Sequence, residues 1–279
     1  MATTNRMLNN RTRKAREAHR HHVSGILRHP EVMREERMKS WKLVTAVLLL
    51  LPLVAVTVIT ALQLMGRALV YQAFWKSSEL GFFLLGGIAW WTMFYTGVRL
   101  VSMYVHGHEW SHAITAWACG GKIYKVVASA DGGYVDTNKS NTWITLAPYL
   151  VPFYTLIALI ISMAVSFFVE MRSSVPIDLG SFAFGFRPVW ISAFLIGWSW
   201  FFHVTYTIKT IRLEQGDLVR NGEFFSIVLI FFFNLILLVG MFLMAAPGPE
   251  LTPFEVLSTW WHTFSGMIEW AWTILTQTV

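Results

Sequence analysis

The chain is predicted to be an all-α polytopic membrane protein. We expect about five transmembrane helices, a C-terminal interfacial helix (or sixth span) and a short cytoplasmic β-hairpin. Three observations carry this. Hydrophobic residues make up 55% of the 279 residues and charged residues only 14%, whereas a soluble domain carries about a quarter. Five apolar stretches approach or exceed the ~20 residues a helix needs to cross a ~30 Å hydrocarbon core. The basic residues fall on alternate loops. The same composition excludes a disordered chain, which needs low hydrophobicity and high charge. The single cysteine, Cys119, excludes an intrachain disulfide framework and a four-cysteine zinc site.

The elements follow in order. Residues 1–42 form a basic tail with 11 of the 22 Lys and Arg and four acids. Its His19, Arg20, His21 and His22 could bind metal or phosphate, but they also suit a solvated topology signal against acidic headgroups. The apolar stretches are 43–65, 80–104, 143–169, 189–211 and 224–246. The first is too long, and its polar prelude too extended, for a cleavable signal peptide. It reads as an uncleaved anchor. On this map 17 of the 22 Lys and Arg lie on the N-terminal side of the membrane and four on the other. The positive-inside rule then puts the N-terminus in the cytoplasm. Pro247, Gly248 and Pro249 end the fifth stretch. Thr252, Pro253 and Glu255 form a capping box with Pro at the first helical position. The Trp-rich helix that follows, about 254–275, suits the headgroup level. Its Glu255, His262 and Glu269 share a polar stripe. Three regions result: a tail (1–42), a transmembrane domain (43–246) and a C-terminal amphipathic helix (247–279).

The second span ends in chemistry. His108-Glu109-Trp110-Ser111-His112 is an HExxH sequence. On a helix, positions i and i+4 share a face, so two imidazoles can hold one Zn²⁺. The adjacent glutamate can take a proton from a water at the metal. His106 lies two residues earlier and points away from that face. Gly120 and Gly121 can end the helix through a left-handed cap. A strand near 123–128, a turn at Asp131-Gly132-Gly133 and a return strand at 134–136 make a hairpin. Its edge could receive an extended peptide. A continuous helix from 80 to 120 would be roughly 60 Å long. It must therefore tilt, break near Gly97 or Gly107, or project from the bilayer.

These residues resemble the site-2 protease family of membrane-embedded zinc metallopeptidases. The matching positions are His108, Glu109, His112, Gly120–Gly121 and Gly132–Gly133, within about residues 80–235. The resemblance implies one Zn²⁺ per chain, Glu109 as general base and a distant Asp as third ligand. The chain departs from the family in Ala147-Pro148-Tyr149-Leu150-Val151-Pro152, where a Gly-Pro and an Asn are usual. It also lacks the family's Asn-Pro…Asp-Gly motif.

The third ligand must therefore be argued. A catalytic zinc takes three protein ligands and keeps one position open. Of four Asp, Asp178 falls on the outer side, and Asp131 and Asp136 suit the hairpin. Asp217 lies on the side of HExxH, and Gln215–Ser226 resembles the Asp-bearing stretch of divergent family members. His203, in the fourth span, is the other candidate: a ligand, a transition-state donor or a structural hydrogen-bond partner. Asn234 in the fifth span could polarise a substrate or bond another helix.

The expected function is a zinc endopeptidase cutting a peptide in or near the membrane. Glu109 and His203 are its catalytic candidates, and His108, His112 and Asp217 its metal ligands. Its partners are a membrane protein or peptide substrate and the lipid bilayer, not nucleic acid. The compact size and uncleaved anchor fit a bacterial inner membrane, with the site towards the cytoplasm. The alternative is a non-enzymatic membrane scaffold, or a haem carrier using His106 or His112 with His203.

Overall fold

The computed structural model describes residues 30–71, 77–178, 180, 183–211, 216–245 and 252–277. The His19, His21 and His22 cluster, Lys76, Arg212 and the Pro247-Gly248-Pro249 break lie outside them. The described residues are mostly helical. In order they form α1 (Pro30–Thr45), a π segment (Ala46–Leu50), α2 (Leu51–Tyr71), α3 (Ser78–Tyr95), α4 (Val101–Ala118), β1 (Ile123–Ser129) and β2 (Gly132–Thr137). Then come α5 (Thr142–Leu150), α6 (Phe153–Ser166), β3 (Val175–Asp178), β4 (Ala183–Phe186), α7 (Val189–Ile211), α8 (Gly216–Asn221), α9 (Glu223–Ala245) and α10 (Pro253–Gln277).

Among the described residues, three helices are long and apolar enough to cross a membrane: Glu35–Ala68, Val189–Ile211 and Glu223–Met241. The α5–α6 pair makes a fourth if counted as one span, but it is bent by 69°. The bend falls at Val151 and Pro152, where the proline lacks the N–H that would continue the ladder.

The apolar run from 80 to 104 is not one helix. Thr96 closes α3 and Gly97 turns it with φ +95. The Val98 N–H reaches the Met93 carbonyl at 2.9 Å, as in a Schellman cap. A fresh helix, α4, then carries the HExxH residues. The break expected near Gly97 or Gly107 is thus at Gly97. The same device ends α4: Gly120 has φ +79, and the N–H groups of Gly120 and Gly121 reach the Trp117 and Ala116 carbonyls at 2.8 Å.

Glycines bring α3 against α7. A Cβ on Gly86 would lie 2.1 Å from the Phe194 carbonyl oxygen, and one on Gly197 would lie 2.0 Å from that of Phe83. Only glycine permits such backbone approach, a recurrent basis of helix packing in membranes. Beside this contact Trp90, fully buried, meets Phe202 edge-on at 4.9 Å and donates to Thr205 Oγ1 at 3.0 Å. Each such aromatic pair contributes about 0.5–1.5 kcal/mol beyond its buried area. The aromatic cluster runs on through Tyr206, which stacks on Tyr104 of α4 at 4.5 Å, and so reaches the HExxH helix.

A second core joins the π segment, α5, α8 and α9 through Leu50, Leu146, Leu150, Leu218 and Leu229. The expected hairpin is present as antiparallel β1–β2, with Ser129 opposite Gly132 and a bulge between Ile123 and Lys125. A second antiparallel hairpin, β3–β4, was not anticipated in the stretch read as an outer loop. At the C-terminus Thr252 Oγ1 accepts from the Glu255 N–H at 3.2 Å, and α10 starts at Pro253 as the capping box predicts. It packs on α2, where Trp260 Nε1 donates to Thr57 Oγ1 at 3.1 Å.

Candidate metal centre

Helix α4 sets His108 and His112 one turn apart, with their Nε2 atoms 3.2 Å from each other. Helix α8 brings Asp217 to the same point. Its Oδ2 lies 3.6 Å from His112 Nε2 and 3.9 Å from His108 Nε2. The donor atoms of these three residues all lie within 4.8 Å of one another. Ligands at ~2.0–2.1 Å from a tetrahedral zinc stand about 3.3 Å apart, so the group fits that ion with small adjustments. Two imidazole nitrogens and one carboxylate oxygen also form a donor set that leaves a coordination position open.

The surroundings orient these donors. His112 Nδ1 lies 2.7 Å from the Ile144 carbonyl. A carbonyl only accepts, so Nδ1 carries a proton, and Nε2 is the nitrogen left to face Asp217 and His108. His108 Nδ1 lies 3.1 Å from the Tyr104 hydroxyl, itself 2.9 Å from Thr210 Oγ1. The buried Tyr149 hydroxyl donates to Asp217 Oδ2 at 3.4 Å. Burial alone would raise the Asp217 carboxyl. The His112 and His108 rings and the Tyr149 hydroxyl outweigh it and hold the carboxyl below the usual carboxylate range.

Glu109 is 7% exposed. The hairpin presses on it: a Cβ on Gly133 would lie 2.6 Å from Glu109 Cγ and 2.5 Å from the Val127 carbonyl oxygen. Beside it opens a cleft of about 480 Å³, walled by His108, Glu109, the Asp131–Gly132–Gly133 turn and Lys209. His108 and the expected base thus border one space, large enough for a ligand.

His203 is not in the donor group. It is 9% exposed and lines a separate pocket of about 20 Å³ with His108, Ser111, Ser199 and Tyr154. That is room for about one water. It sits beside Asn234 and the Tyr149 carbonyl, yet its Nε2 completes no hydrogen bond. Asn234 itself donates to the Tyr149 and Ile230 carbonyls at 2.9 and 2.8 Å, which is a helix-to-helix bond. His106 is exposed and turned to the Ser102 carbonyl of its own helix, 2.7 Å away. His112 turns Nε2 to Asp217 and His108 and Nδ1 to the Ile144 carbonyl. Asp131, Asp136 and Asp178 stay in the hairpins, and His262 is exposed on α10.

Sequence reasoning missed Tyr104, Tyr149 and Thr210. Tyr104 was findable, because it stands four residues before His108 on one helix face. The others come from distant segments and leave no local signal. No protein-family model, curated protein or solved structure matches this chain.

Proposed function

We propose that this chain is a zinc-dependent endopeptidase of the site-2 protease type, acting on a peptide segment in or near the membrane. One observation supports this above the others. The two HExxH histidines meet Asp217 from a distant helix, and Glu109 opens on the adjoining cleft. His108, His112 and Asp217 would hold the zinc, which when bound supplies Lewis acidity for peptide hydrolysis. A carboxylate oxygen of Glu109 takes the proton of the attacking water and returns it to the leaving nitrogen. Gly132 and Gly133 offer bare backbone at the cleft wall to an extended strand. A helical substrate has its backbone closed to attack, so the segment must unwind first.

In this reading the chain crosses the membrane about five times with the N-terminus in the cytoplasm, and α10 lies at the interface. The bias of Lys and Arg towards alternate loops supports that orientation, and a bacterial inner membrane suits it.

The test is cleavage by the purified chain in liposomes, using peptides that carry a membrane segment. Wild type should cut, and Glu109→Gln should keep zinc without cutting. A zinc-loaded wild type that cuts no such peptide would count against the reading.

A further inference from the structure

We infer that Asn221 is a positioning residue for the metal centre, and that Lys42 of α1 completes its seat. This rests on the metal-binding reading above. Helix α8 has six residues, far short of the ~12–15 at which an isolated helix becomes even marginally stable. Gly222, with φ +87, ends it at once. Something outside α8 must therefore fix the Asp217 carboxylate.

Asn221 does this with every group of its amide. It is 4% exposed. Its Nδ2 donates to Thr145 Oγ1 of α5 at 2.6 Å and to the Asp217 carbonyl at 2.9 Å. Its Oδ1 accepts from Lys42 Nζ of α1 at 2.7 Å. Lys42 also stands 5.7 Å over the Phe225 ring. Thr145 is the neighbour of Ile144, whose carbonyl holds His112 Nδ1. One buried side chain thus ties the helix that carries Asp217 to the segment that orients His112. A residue that served packing alone would need none of these bonds, and a buried amide is retained at a cost unless each group is paired.

The test is the zinc dissociation constant of the full-length purified chain, measured by competition with a chromogenic zinc chelator. The thermal midpoint of the metal-free protein is measured alongside. Asn221→Ala should bind zinc about 10–100-fold more weakly, the usual effect of losing a group that supports a ligand. The metal-free midpoint should fall modestly, since three buried hydrogen bonds go with the amide, and the loss of affinity should exceed what that fall accounts for. Lys42→Met should weaken binding less, and Lys42→Arg, which keeps a donor, should restore it. Where Asn221→Ala does not fold, Thr145→Val removes one bond of the same hub and should weaken zinc in the same direction. Wild-type affinity in these variants would overturn the inference alone. So would a loss of affinity that only follows a fall in the metal-free midpoint. A wild type that binds no zinc would overturn both this inference and the proposed function.

Discussion

Two sets of histidines sit on helices in this molecule, and their surroundings differ. His108 and His112 each commit Nδ1 to an outside partner, Tyr104 and Ile144, and turn Nε2 towards Asp217. His203 is as well buried, but its Nε2 completes no hydrogen bond and the carboxylate of Asp217 is not among its partners. A histidine becomes a plausible ligand when its second nitrogen is held and its first faces another donor. Burial in an apolar helix supplies neither.

The comparison can be broken by substitution. The largest effect is expected at the ligands. His112→Ala should weaken zinc by more than the ~10–100-fold that supporting residues cost, whereas His203→Leu should leave zinc affinity unchanged. Chelator competition on both variants checks this, and zinc loss in His203→Leu would erase the distinction. Next comes Glu109→Gln, which should keep zinc and lower cleavage by about 10²–10⁴-fold, the usual contribution of a general base.

A smaller effect should follow Gly133→Ala. The new Cβ would meet backbone at Val127 as well as Glu109, so the strain should cost about 1–3 kcal/mol, read from the thermal midpoint. The smallest effect concerns charge. Asp217 has a lowered pKa in the folded chain. Its contribution to metal-free stability is present above the ordinary carboxylate value of about 3.9 and is lost as pH falls through the lowered pKa. The stability gap between wild type and Asp217→Asn should thus hold at pH 7 and narrow towards pH 3. A gap that widens on acidification would reverse the sign of the account.

Much of this was legible in the sequence because it is local. The bounds of α7 and α9 follow from long apolar runs, and β1–β2 from the turn signal Asp131-Gly132-Gly133 between two short strands. The i, i+4 spacing alone places His108 beside His112. Gly97 was one of two foreseen breaks, and its positive φ decided for it, through a cap in which the Val98 N–H reaches the Met93 carbonyl. The β3–β4 hairpin was hidden because its strands have four residues each and lack clear alternation. Asp217 was reached only through the side of the membrane and a resemblance. Its meeting with His112 depends on α8 packing against α5 and α9. Tyr149 and Asn221 act through bonds to segments tens of residues away, which no local pattern reports.

The central claim is that HExxH and Asp217 form one zinc site. The most direct measurement is zinc per chain by elemental analysis, on wild type and Asp217→Ala purified without chelators. The account predicts close to one zinc in wild type and far less in the variant. Equal zinc in both would remove Asp217 from the site, and no zinc in either would contradict the site itself.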